Sequence, residues 1–148
     1  MITTEHDLRL RHLDTLQGVI NRLSQNSFAI RGWSVTLTSA ILAFSSTQGN
    51  VRGALILLAL VPAWIFWGLD AYYLRQERLF RQLHAAAARR LIDVNSHPDI
   101  EPFDMHLDAF GHTVAPWRRL LLVPHVAAIP ASLTVITVSV SLFEIVSR

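Results

Sequence analysis

The side chains best placed to do chemistry are a carboxylate and a guanidinium at the ends of two apolar runs. Asp70 closes the run that starts at Gly53, and Arg31 directly precedes the run that starts at Gly32. If the two runs form an antiparallel helical hairpin, these ends meet, and an Arg31 to Asp70 ion pair would fix the hairpin. The alternative is a gate or a proton-linked site, because an ionisable group at membrane depth is costly and often functional.

A second set of candidates is basic. Arg75, Arg78 and Arg81 follow at helical spacing, and guanidinium groups bind phosphate well, so a nucleotide or a lipid head group is one candidate ligand. Leu79 and Phe80 are interleaved with these arginines. That pattern favours helix packing and the ordinary excess of positive charge on the cytoplasmic side of a membrane protein.

Histidines raise two further possibilities. His125 lies in a third apolar run, where an imidazole either marks a polar pathway or reaches the membrane interface. The segment before that run carries several metal-capable side chains, but none has the HExxH spacing and the chain has no cysteine. They are His97, Asp99, Glu101, Asp104, His106, Asp108 and His112. We therefore expect neither a metal site nor a cofactor.

The sequence offers no recognisable catalytic motif. It contains no GxSxG, no glycine-rich phosphate loop and no convincing pair of catalytic carboxylates, so we expect a protein that is not an enzyme. The formal net charge of +2 is also too small to indicate nucleic-acid binding.

Three long runs without Asp, Glu, Lys or Arg must position these residues. They cover residues 32–51, 53–70 and 120–143, and Asp70 is the charged residue that ends the second run. About 20 apolar residues at ~1.5 Å rise each cross a hydrocarbon core of roughly 30 Å, and the second run is near the lower length limit. The sequence predicts three membrane-spanning helices, the first two forming a hairpin.

The first span is unusually rich in hydroxyl groups. Such side chains are costly against lipid unless they bond to their own helix or to a neighbour, so we expect this span to pack against protein. The residues concerned are Ser34, Thr36, Thr38, Ser39, Ser45 and Ser46.

Helices are also predicted on either side of the hairpin. Residues 4–27 place Leu13, Leu16 and Ile20 on one face, and Thr3 or Thr4 can cap this amphipathic helix. Residues 71–93 are predicted to form a basic helix. Residues 94–117 are predicted to be a connector, because their apolar residues show no regular spacing. The predicted class is therefore all-α: a transmembrane hairpin, a third transmembrane helix and amphipathic cytosolic helices.

The arginines predict the orientation. All 13 basic residues are Arg, and 11 of them lie before the first span or between the second and third, leaving only Arg52 and Arg148 on the opposite side. By the positive-inside rule, the N-terminus and the connector are cytoplasmic and the C-terminus is outside.

A resemblance to a known family adds a functional expectation. The stretches QGVINRLSQNSFAIRGWSVTL and FWGLDAYYLRQERLFRQL, within 17–83, resemble the SLATT-type two-helix membrane effectors of bacteria. The resemblance implies a protein of the bacterial inner membrane that perturbs the membrane or forms a pore in conflict and antiphage systems. It also implies switching by a nucleotide signal or a partner protein. The third span departs from that family's pattern.

Three functional hypotheses follow. The first is a self-associating membrane protein, a homo-oligomer, because three spans cannot enclose a wide pore alone. The second is a membrane anchor or accessory subunit that docks a cytosolic protein. The third is a small carrier that uses Asp70 and His125, although no inverted repeat supports it.

Overall fold

The computed structural model of the chain describes residues 4–47, 52–93 and 100–146, and this part is helical without strands. Its elements are α1 (Glu5–Ser45), α2 (Arg52–Leu58), α3 (Leu60–Ile92), a 3-10 turn (Asp108–Phe110), α4 (Trp117–Leu120) and α5 (Pro124–Val146). The predicted all-α class is confirmed. The chain divides into an arm unit (Met1–Asn26 and Tyr73–Pro116) and a span unit (Ser27–Tyr72 and Trp117–Arg148).

The first helix is longer than expected. The sequence predicts separate helices over 4–27 and 32–51, whereas α1 runs unbroken from Glu5 to Ser45 and ends in a turn at 46–47. The change at residue 27 is one of polarity, and a single Gly32 weakens a helix by only about 1 kcal/mol without ending it. At the start, Thr4 Oγ1 accepts from the Asp7 backbone N–H at 3.3 Å, which is the expected cap.

The second predicted span is interrupted for one residue. Helix α2 ends at Leu58, Ala59 is a turn residue and α3 continues from Leu60 to Ile92. Pro62 explains the interruption, because it has no N–H and its ring crowds the carbonyl four residues earlier. It then fits the first turn of α3, where that N–H is not needed. The predicted basic helix over 71–93 is the continuation of α3.

The third predicted span begins later than expected. The sequence places it over 120–143, but Leu120 ends the short α4 and α5 begins at Pro124. A proline suits the first helical position because its backbone is already shaped for the helix. Pro130 lies inside α5, and Thr134 Oγ1 donates to its carbonyl at 2.7 Å.

In the part of the chain that the structure describes, three helical segments are long and apolar enough to cross a membrane, within Glu5–Ser45, Gly53–Ile92 and Pro124–Phe143. Large apolar side chains in the span unit point outward: Phe28, Leu122 and Phe143 are 80%, 77% and 75% exposed. A soluble protein rarely leaves such a surface uncovered. The finding is compatible with a multi-pass membrane protein.

The arm unit has its own hydrophobic core. Leu16 on α1 and Leu83 on α3 are fully buried, together with Ala86, Ala87 and Ile100. Ile100, which belongs to the connector, thus adds to a core that α1 and α3 form.

Next to this core lies a buried histidine. His12 is 2% exposed, and its Nε2 lies 3.1 Å from the Asp104 carbonyl oxygen, to which it donates in the tautomer with the proton on Nε2. Burial lowers the pKa of His12, and the Asp104 carbonyl and carboxylate oppose that shift only in part.

Candidate functional site

Asp70 on α3 is held from two positions of α1. Ser27 and Arg31 are one helical turn apart, so their side chains project from the same face. Arg31 Nε donates to Asp70 Oδ2 at 2.8 Å, and Ser27 Oγ donates to Oδ1. The structure therefore brings together the two residues that the sequence pairs, and adds a third.

The carboxylate is buried and the guanidinium is not. Asp70 is 3% exposed, whereas the Arg31 side chain retains 28% of its accessible surface. Beside the pair is a cavity of about 10 Å³, bordered also by Ser34, Trp67 and Pro130. A volume of that order accommodates about one water molecule. The site has room for a solvent molecule but not for an organic substrate.

This geometry limits the chemistry of Asp70. Both carboxylate oxygens already accept a hydrogen bond, and the adjacent guanidinium balances the negative charge. Breaking such a pair is costly because it strands a charge in a poorly solvated place. The arrangement favours the ion pair that fixes α1 against α3 over an open proton acceptor.

Further hydroxyl groups continue along the same face of α1. Ser27, Ser34, Thr38 and Ser45 are all buried, and their spacing of seven, four and seven residues keeps them on one side of the helix. Thr38 Oγ1 donates to the Ala59 carbonyl at 3.2 Å, and Ser45 Oγ donates to the Leu42 carbonyl at 2.7 Å. The expectation that this span packs against protein is confirmed for Ser34, Thr38 and Ser45.

The opposite face of α1 is also lined by small residues, but it is exposed. Gly32, Thr36, Ala40 and Ala43 lie on it at steps of four and three, with Ser39 beside Ala40. Large exposed side chains flank this stripe on both sides: Phe28, Trp33, Val35, Leu37 and Phe44. The side chains of Thr36, Ser39 and Ser46 were predicted to be covered by protein, but they are exposed in the single chain. We call this surface the small-residue face.

The remaining candidate residues from the sequence are not part of the ion pair. Arg75, Arg78 and Arg81 belong to the arm unit, where Arg81 Nη2 binds Glu77 Oε1 at 2.7 Å one turn away. His125 is exposed at the second residue of α5 and does not border the cavity beside Asp70. The structure provides no shared site for Asp70 and His125.

Two of the connector's metal-capable side chains, His106 and Asp104, pair with each other. His106 Nδ1 lies 2.6 Å from Asp104 Oδ1, and this contact raises the pKa of His106. The pKa of Asp104 is lowered first by the His106 backbone N–H, which donates to Oδ1 at 2.9 Å, and then by the His106 side chain. No three His, Asp or Glu side chains within 4–47, 52–93 and 100–146 converge on a point that could hold a metal ion. His97 and Asp99 lie outside the described residues.

Two contacts of the span unit, made by Ser27 and Trp67, were not predicted from the sequence. Ser27 falls on the predicted amphipathic helix, yet its position one turn before Arg31 is a signal that both reach the same partner. Trp67 reads as an interfacial aromatic, but its Nε1 donates to the Leu121 carbonyl at 3.1 Å and so ties α3 to the chain after α4.

Comparison of the chain with protein families, with curated proteins and with solved structures finds no match. The resemblance to SLATT-type membrane effectors therefore stays a prediction that rests on the residues of this chain.

Proposed function

We propose that this chain is a non-enzymatic, multi-pass protein of the bacterial inner membrane that self-associates through α1 and acts as a pore-forming or membrane-perturbing effector. The observation that carries the proposal is the small-residue face. One face of α1 is used within the chain, and the opposite face offers Gly32, Thr36 and Ala40 to another helix.

The chemistry of that face suits helix association in lipid. Lipid is as apolar as leucine, so helices associate in membranes by close packing and hydroxyl hydrogen bonds, both of which small residues permit. Thr36 and Ser39 are exposed and would be costly against acyl chains. A second copy of α1 would cover both.

Self-association also supplies the number of helices that a pore requires. Three spans from one chain cannot enclose a wide pore, whereas a ring of copies can. The distribution of arginines supports a cytoplasmic N-terminus and a cytoplasmic arm unit. The arm unit would then receive the activating signal.

The alternative is a membrane anchor that docks a cytosolic protein. It is favoured by an open pocket of about 500 Å³ in the arm unit, bordered by Leu83, Ile100 and Phe110 on the apolar side. Asp104 and Asp108 also border it, so it is poorly suited to an anionic nucleotide and better suited to a protein side chain.

Native mass spectrometry of the protein in nanodiscs tests the proposal. A discrete oligomer is expected, and Gly32→Leu should shift it towards monomer. A Cβ built at Gly32 meets no atom within 4 Å, so the variant can fold. Gly53→Leu is a matched control, because Gly53 is equally open but lies on α2.

The oligomer should then be examined for conductance in planar bilayers. A discrete oligomer that conducts would support the effector function. A discrete oligomer without conductance in any state would exclude a pore. A protein that is monomeric at every ratio of protein to lipid and copurifies with a stoichiometric cytosolic protein would support the anchor instead.

A further inference from the structure

A groove of about 400 Å³ lies on the outside of the span unit, between α3 and α4. Its walls are mainly apolar or aromatic: Ile65, Gly68, Leu69, Tyr72 and Trp117. The volume lies within the range of roughly 300–1,000 Å³ that is usual for small-molecule sites. Gly68 leaves the middle of the groove open, since a Cβ built there meets no atom within 4 Å.

The groove is held in shape by contacts behind it. Trp67 Nε1 donates to the Leu121 carbonyl at 3.1 Å, and Leu120 is only 2% exposed. These contacts keep α4 beside α3, so the position of Trp117 does not depend on an occupant.

A positive charge lies against one wall of the groove. The Arg118 guanidinium carbon is 5.9 Å from the centroid of the Trp117 ring, and Trp117 is itself a wall of the groove. A guanidinium over an indole ring is held by cation–π attraction and keeps its N–H groups for another partner. Arg119 is exposed next to it.

We propose that this groove binds one anionic phospholipid, with an acyl chain against Ile65, Gly68 and Leu69 and the phosphate on Arg118 and Arg119. The inference rests on the membrane insertion contained in the proposed function but not on self-association. Guanidinium forks match phosphate oxygens, and aromatic side chains such as Trp117 are typical of the head-group level. Cytoplasmic leaflets are rich in anionic lipids, and the arginine distribution assigns this end of the spans to that side.

A lipid fits the groove better than a protein segment does. A polypeptide in an apolar groove at membrane depth must satisfy its backbone N–H and C=O groups internally, whereas an acyl chain has no such groups. The guanidinium beside Trp117 and the apolar walls match the two parts of a phospholipid.

Native mass spectrometry after release from vesicles of phosphatidylglycerol and phosphatidylcholine tests the site. One phosphatidylglycerol per chain should be retained in preference to phosphatidylcholine. Arg118→Gln and Arg119→Gln should each reduce that preference about fivefold. Gly68→Leu should instead reduce retention of either lipid, because the new side chain projects into the space that an acyl chain would occupy.

Two controls separate this site from other causes. Arg22→Gln combined with Arg89→Gln removes two charges from exposed positions in the arm unit, the same number as Arg118→Gln combined with Arg119→Gln, and should leave the preference unchanged. Gly53→Leu adds the same bulk on α2, outside the groove, and should leave retention unchanged.

The outcomes that would overturn the proposal are specific. Equal retention of the two lipids by the unchanged protein would do so, as would an equal loss in the Arg22 and Arg89 variant, which would indicate general surface attraction. A lower oligomer mass in Gly68→Leu would show that a second copy occupies the groove. Recovery of the protein in the soluble fraction would reject membrane insertion, and with it the proposed function.

Discussion

Thr38 on α1 donates a hydrogen bond to the carbonyl oxygen of Ala59, at the single residue that interrupts the second span. Both residues are fully buried. Interruptions at membrane depth are tolerated where a neighbouring hydroxyl satisfies the backbone groups that the helix no longer pairs. Here Pro62 leaves the Leu58 carbonyl without a backbone donor, and Thr38 binds the carbonyl of the next residue, which ties α1 to the interruption itself.

Thr38→Val should therefore destabilise the span unit by about 1 kcal/mol, because it keeps the shape of threonine and removes the donor. The midpoint of SDS-induced unfolding, followed by tryptophan fluorescence, measures the change. Thr38→Ser keeps the hydroxyl and is the matched control. Equal losses in the two variants would mean that packing, rather than the hydrogen bond to Ala59, is responsible.

Substitutions at Arg31 and Asp70 should be unequal and non-additive. Arg31→Gln leaves the buried Asp70 carboxylate without its counter-charge and should cost about 2–4 kcal/mol. Asp70→Asn should cost less, because Asn still bonds to Ser27 and the partly exposed Arg31 can turn to solvent. The double variant should cost less than the sum of the two.

The same unfolding assay measures this cycle, and any conductance should follow stability if the pair is structural. Conductance lost in Asp70→Asn while stability is kept would assign Asp70 to a gate. Arg81→Gln is a useful control, since it removes an exposed arginine that pairs only one turn along its own helix.

The parts of the fold that follow from long-range composition could be predicted from the sequence. The charge-free runs predicted the three candidate spans. An antiparallel arrangement of the first two was enough to predict the contact between Arg31 and Asp70. Helix ends were harder. The change from amphipathic to apolar sequence near residue 27 is a change of surroundings within one helix, and sequence pattern alone does not distinguish it from a terminus.

The details that could not be predicted depend on three-dimensional packing. Whether Thr36 or Thr38 is buried depends on which face of α1 meets α3, and Pro62 by itself does not tell whether the helix bends or is interrupted at Ala59. The connector contributes Ile100 to the arm core from a segment without periodic apolar residues. The site differs from expectation for the same reason: His125 faces outward by its rotation on α5.

The core of the arm unit provides a test of the division into two units. Leu83 is 1% exposed and packs in the cluster that contains Leu16 and Ile100. Leu83→Ala should destabilise the arm unit by about 2–5 kcal/mol through lost burial and the cavity left behind. Hydrogen exchange should rise across 100–116 while protection of residues 124–143 is unchanged.

A matched control is Leu69→Ala, which alters an exposed leucine of the span unit. It should leave exchange in the arm unit unchanged. Exchange that rises equally in both units of Leu83→Ala would show that they unfold as one.

The buried His12 should make the arm unit less stable at acid pH. Its pKa is lowered in the folded chain, chiefly by burial, with His84 and Arg9 acting in the same direction. As the pH falls below the ordinary value of 6.5, the unfolded chain binds a proton at this position before the folded chain does. Stability is therefore lost from about that pH downward. His106 acts in the opposite direction, since its raised pKa adds stability at low pH that is lost as the pH rises through the raised value.

His12→Gln separates the two contributions. The Gln amide can still donate to the Asp104 carbonyl but does not titrate, so the fall in stability between about pH 7 and 5 should become shallower. Hydrogen exchange of 100–116 across this range measures it, with the exposed His112→Gln as the control. His106→Gln should make the fall steeper, because it removes the opposing contribution. If His12→Gln and His112→Gln have the same pH profile, protonation of His12 is not what weakens the arm unit.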